Sequence, residues 1–204
     1  MKKTIVTLFA AALLVACNKK ETSATVDHSS DHMETPAQDE SATTGTDSLT
    51  TIDNSTSVAQ LSDQDKKFAD AAAKGGMMEV MAGKLAADLS TNTTVKTLGE
   101  MMVKDHTKAN DELKQWASKN AYTLPAKIDA DQQKKYDELK AKKGAEFDRM
   151  YTDLMVADHQ KTIADFKKEA AEGSESTLKS FASKTLPALE HHLMESQKAQ
   201  KAVK

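Results

Sequence analysis

The sequence predicts an all-α fold: a four-helix bundle with an additional short helix between the second and third main helices. Three observations carry this. Four long stretches repeat apolar residues at gaps of three and four, the period of one helix face. Leu, Met and Ala supply most of the apolar bulk while aromatics are only 4%, a balance that favours helix over strand. Seven Gly and three Pro in 204 residues are too few for a loop-rich fold.

The first main helix is expected over 63–89. Ser62, followed three residues later by Asp65, is a start signal of capping-box type, with Asp replacing the usual Glu. Its inward stripe runs Phe68, Ala72, Gly76, Glu79, Gly83, Ala86. Gly75, Gly76 and Gly83 weaken it locally, and their use is close approach of a neighbouring helix. Residues 90–93 form a turn. The second helix carries Val95, Leu98, Met102, His106, Ala109, Leu113 and Trp116 on its stripe and stops near Asn120. Pro125 breaks the chain. A shorter, charged helix is expected over 128–143, with Lys142, Lys143 and Gly144 as its stop signal. The third main helix, over 145–172, presents Phe147, Tyr151, Met155, His159, Thr162 and Phe166. The fourth starts near Ser174 and presents Leu178, Ala182, Thr185, Leu189, His192 and Ser196, with Pro187 bending it near Ser183. Residues 61–204 are therefore one helical domain. The second and third main helices are either antiparallel neighbours or parallel across the intervening segment; their mid-helix histidines match in level either way.

Residues 1–16 read as a signal peptide: Lys2 and Lys3, then an apolar run too short to span a membrane comfortably. Leu14-Val15-Ala16-Cys17 resembles the lipobox of bacterial lipoproteins, which implies cleavage before Cys17 and lipidation of that residue. Asn18, rather than Asp, favours the outer membrane by the same resemblance. Residues 18–60 hold no Phe, Trp or Tyr and are rich in Ser, Thr, Asp and Glu, the composition of a disordered tether. The expected placement is thus the cell envelope, anchored by lipid and facing the periplasm. Cys17 is the sole cysteine, so no intramolecular disulfide forms. Net charge is −3, falling to −5 once Lys2 and Lys3 leave with the first 16 residues, and interspersed charges give no footprint for nucleic acid.

A pentad occurs twice, as Met102-Val103-Lys104-Asp105-His106 and as Met155-Val156-Ala157-Asp158-His159. With Glu79 and His192, it gives each main helix one metal-ligating residue in mid-stripe. An isolated buried charge is costly, so such groups are paired, hydrogen-bonded or metal-bound. Glu79, His106, His159 and His192 form a candidate set for one copper, zinc or iron ion, with Asp105 and Asp158 as partners orienting the imidazoles. Met102 and Met155, one turn from the histidines, read first as core filler. No Glu-x-x-His occurs, which argues against a carboxylate-bridged di-iron centre. Neither a nucleophile motif nor a phosphate loop is present.

The domain resembles the family catalogued as domain of unknown function 4142. The resemblance rests on Gly75-Gly76-Met77, Glu79-Val80, Met102-Val103, Asp105-His106 and Ala109-Asn110. It continues through Leu124-Pro125, Phe147-Asp148-Arg149, Tyr151, Asp158-His159, Leu186-Pro187 and His192. It implies a ferritin-like four-helix architecture and an envelope location, selects His192 over His191, and supplies no activity. Two functions follow as expectations. One is a metal-binding envelope protein. The other is a non-catalytic stress or interaction protein whose buried His, Asp and Glu are a structural hydrogen-bond network. Catalysis at a mononuclear site would require an open coordination position, which residue spacing does not reveal.

Overall fold

In the computed structural model, residues 61–204 are described; Cys17 and the segments expected to be signal peptide and tether lie outside them. Five helices follow in order: α1 (Asp63–Leu89), α2 (Thr93–Lys119), α3 (Ala130–Lys140), α4 (Gly144–Glu172) and α5 (Ser176–Ala202). The capping box expected at Ser62 is present: its hydroxyl accepts from the Asp65 N–H at 3.1 Å, and Asp65 accepts from the Ser62 N–H at 3.1 Å. Asn92 caps α2, accepting from the Thr94 and Val95 N–H groups. Asn120 ends α2, its side chain donating to the Trp116 carbonyl at 2.9 Å. α5 is continuous through Pro187.

The short helix is more compact than its composition suggests. α3 starts behind an Asp129–Gln132 capping box and ends at Lys140, not Lys143. Gly144 does not stop it; at φ 56° the glycine begins α4, using the left-handed region for the entry turn.

α1 packs most closely on α2, and α4 on α5; α1 also borders α4, and α2 borders α5. The start of α1, the end of α2, the end of α4 and the start of α5 meet at one pole. There Asp65 accepts from the Ser174 N–H at 2.9 Å, and the Trp116 indole donates to Glu175 at 2.8 Å. So α2 and α4 run parallel on a diagonal, and residues 120–143 cross back along the bundle. A four-helix bundle with one long crossover is the ferritin-like arrangement. Among the described residues no helix is long and apolar enough to cross a membrane.

The core has two apolar parts. Met78, Leu98, Met102, Phe147, Tyr151 and Met155 belong to one. Phe68, Leu113, Trp116, Phe166, Leu178 and Leu189 belong to the other. Where the two parts meet, the main helices hold Glu79 (next to Met78), His106, His159 and His192, all buried. A polar layer therefore interrupts the hydrophobic interior at mid-height.

The pole built on Asp65 has its own electrostatics. Burial works against the Asp65 charge, but hydrogen bonds from Ser174 and Ser62 hold the carboxyl well below its usual range. Burial pushes the nearby Glu169 up to about 7, with the Asp65 charge adding to the rise. Lys179 on α5 opposes that rise, and Gln64 on α1 donates to Glu169 at 3.3 Å. A carboxyl raised on folding binds more protons folded than unfolded, so its stabilisation holds at low pH and is lost as pH rises through the folded value. The melting temperature is expected to fall by about 2–4 °C between about pH 5 and pH 8 on this account, and Glu169→Gln to flatten that slope. A thermal-melt series in matched ionic strength checks it; an unchanged slope in the variant would remove Glu169 as the cause.

Candidate metal centre

Each polar residue of the layer comes from a different main helix, at a position its stripe dictates. On α1, Glu79 is buried at 3% exposure. Its Oε2 lies 2.7 Å from His106 Nε2, and its Oε1 lies 3.5 Å from His159 Nδ1. The short approach to His106 is out of hydrogen-bonding alignment, leaving Nε2 without a bonded partner. His159 Nδ1 donates to the Met155 carbonyl at 2.9 Å, one turn back on α4. His192 Nε2 donates to Asp105 Oδ2 at 3.0 Å, across the α2–α5 boundary. These two bonds fix the ring orientations and direct one lone pair of each ring elsewhere.

Three ring nitrogens are left buried and unpartnered: His106 Nε2, His159 Nε2 and His192 Nδ1. The three rings each offer one nitrogen within 4.8 Å of the others. Ring centroids stand 5.1–5.7 Å apart. A buried polar atom without a partner costs about 1–3 kcal/mol. His159 Nε2 and His192 Nδ1 carry that cost in full, while at His106 Nε2 it is eased by the Glu79 carboxylate 2.7 Å away. A cation accepting all three lone pairs removes that cost at once.

The charges agree with such a site. Burial opposes ionisation of Glu79, but the surrounding imidazoles hold its carboxyl below the usual range, at about 2. Burial pushes His192 down to about 4 against its Asp105 bond, so this ring is neutral near pH 7 and its Nδ1 lone pair is free. For His106 burial acts downward, but the Glu79 charge and contact and the Asp105 charge win and raise it, so an ion taking its Nε2 lone pair displaces a proton there.

The four residues taken from the stripes are thus brought together, and Asp105 orients His192. Asp158 corrects the expectation that both aspartates orient imidazoles. It lies 3.8 Å from Lys135 on α3 and makes no bond to a ring. The reason is its neighbour. α2 faces α5, which offers Asp105 the N–H of His192. α4 faces α1, which at this level offers Glu79, a like charge that together with burial raises the Asp158 carboxyl. A backbone carbonyl orients His159 instead, something residue spacing does not encode.

Tyr151 was legible only as a core residue. Its hydroxyl is buried, unpartnered and raised by burial and by the Glu79 charge. The available signal was its place on the His159 stripe, eight residues earlier.

Fold and site together define a helical bundle with three buried histidines that could hold a metal ion, beside a buried glutamate. The chain belongs to the family described as Domain of unknown function (DUF4142), whose sequence pattern matches residues 50–199. Among solved structures it is similar to a "DUF305 fragment from Deinococcus radiodurans", with a TM-score of 0.62 and 10% identity, over 70% of this chain and 98% of that one. At that identity the likeness concerns the fold alone. No curated protein matches the sequence.

Proposed function

We propose that this is a lipid-anchored bacterial envelope protein whose bundle binds one transition-metal ion through Glu79, His106, His159 and His192. The single observation that supports it is the set of three buried imidazole nitrogens on three helices, within 4.8 Å of one another, two of which have no other partner. Three imidazoles and a carboxylate suit zinc, copper or iron, with ligand distances of about 2.0–2.2 Å. Closing around an ion needs only short side-chain movements from the present spacing. A purely structural network would be expected to close its own hydrogen bonds; this one leaves His159 Nε2 and His192 Nδ1 open.

The envelope placement rests on the resemblance of Leu14-Val15-Ala16-Cys17 to a lipobox and on the polar composition of residues 18–60. Lipid on Cys17 would hold the domain at a membrane surface, with the outer membrane favoured by Asn18. The combined reading is sequestration or sensing of a metal in the periplasm.

Elemental analysis of the full chain, purified without chelator, tests the metal. The expected result is near one equivalent of a single transition metal. A chain that stays metal-free after incubation with zinc, copper(II) and iron(II) in turn would return these residues to a structural role.

A further inference from the structure

A cavity of about 560 Å³ leads from the surface to the metal centre. Its lining includes Asp131, Gln132 and Lys135 of α3, and most of the rest comes from α1, α2, α4 and α5. Glu79 and His106 line it, whereas His159 and His192 do not. An ion held by the four residues would be closed off behind by two imidazoles and bordered by open space on the Glu79–His106 side.

The chamber has the character of a small-ligand site. Its size is within the range of ligand pockets, about 300–1,000 Å³. Its walls include Phe68, Leu113, Phe166 and Leu189, and Asn110 supplies a carboxamide one turn beyond His106. The Asn110 side chain makes no hydrogen bond among the described residues, and it lies where Gly76 leaves room. A Cβ at Gly76 would fall 2.9 Å from the Asn110 side-chain carbon. At the mouth, Lys74 faces Asp129 at 4.0 Å, Lys135 faces Asp158 at 3.8 Å and Lys161 bonds Asp165 at 2.8 Å. Paired charges leave the rim with little net field, so the ion itself dominates. A divalent ion with one carboxylate and three neutral imidazoles keeps a net positive charge, and in an apolar chamber this favours an anion.

Resting on the metal reading above, we propose that the centre keeps an exchangeable coordination position facing this chamber, and that a small coordinating anion binds there beside Asn110. Four protein ligands alone make a closed set for zinc, so the exchangeable position is a further one, which a tetragonal copper(II) ion can use on the chamber side.

Azide titration of the copper(II)-loaded full chain tests this, with copper content measured on the same samples. The expected result is a saturable azide-to-copper charge-transfer band, absent in His159→Ala. Asn110→Leu and Ala72→Phe, which alter the chamber, are expected to keep one copper and weaken azide at least tenfold. One bound copper with no azide band would show a closed centre and overturn the inference while leaving the metal reading intact. Unchanged azide affinity in both chamber variants would overturn it too, by placing the anion elsewhere. Failure to bind copper, zinc or iron would overturn both.

Discussion

His159→Ala is expected to abolish tight metal binding, raising Kd at least a hundredfold. His159 is fully buried, its ring is held by the Met155 carbonyl, and its Nε2 has no other partner. Removing it takes one of three imidazoles from the centre and leaves a void that a bulk ion cannot exploit. The readout that separates a ligand from a structural histidine is the metal dependence of stability. In the parent, metal at a hundredfold excess over Kd adds about 2.7 kcal/mol. For a domain of this size that is a rise of roughly 5–10 °C in melting temperature. In His159→Ala the rise should vanish, although the metal-free protein also melts somewhat lower because of the cavity. An identical metal-induced rise in both proteins would remove His159 from the ligand set. Glu79→Ala should behave alike, since it deletes the one anionic donor.

The second large effect is expected at the α1–α2 contact. A Cβ on Gly99 would lie 2.6 Å from the Gly83 carbonyl oxygen and 2.7 Å from the Ala86 Cβ. A Cβ on Gly83 would lie 2.8 Å from the Gly99 carbonyl oxygen. The obstacles are largely backbone, so no rotamer change relieves them and the helices must separate. Overpacking of this kind costs about 1–3 kcal/mol, and Gly99→Val is placed at the upper end or beyond. Gly83 is one turn past Glu79, so the same separation draws Glu79 away from His106. The variant should therefore lose both stability and metal affinity. Urea unfolding that puts Gly99→Val within about 0.5 kcal/mol of the parent would mean the helices yield easily there.

These two residues show what the sequence could and could not disclose. The anomaly of a Glu or His inside an apolar stripe is visible in one dimension, and it marks Glu79, His106, His159 and His192. The start of α1 was equally local: Ser62 and Asp65 declare themselves by type and offset, whereas Asn92 read only as part of a turn. Gly83 was legible as a weak point fitted for close approach, while its partner Gly99 was not, because the pairing depends on which helix lies opposite. The parallel run of α2 and α4 escaped for the same reason. Mid-helix residues sit at matching heights whether a neighbour points up or down, and only contacts such as Asp65 with Ser174 decide it. Asp105 and Asp158 occupy identical places in a repeated pentad yet diverge, since one helix faces an imidazole and the other a carboxylate. Gly144 illustrates a different ambiguity: a positive φ serves the entry to α4 as readily as the end of α3.

X-ray absorption fine structure of the metal-loaded chain tests the central claim most directly, because it counts the ligands around the ion. The account predicts a first shell of nitrogen and oxygen only, at about 2.0–2.2 Å, with multiple scattering from three imidazoles. Fewer than two imidazoles, or a sulfur shell near 2.3 Å from the neighbouring methionines, would contradict it.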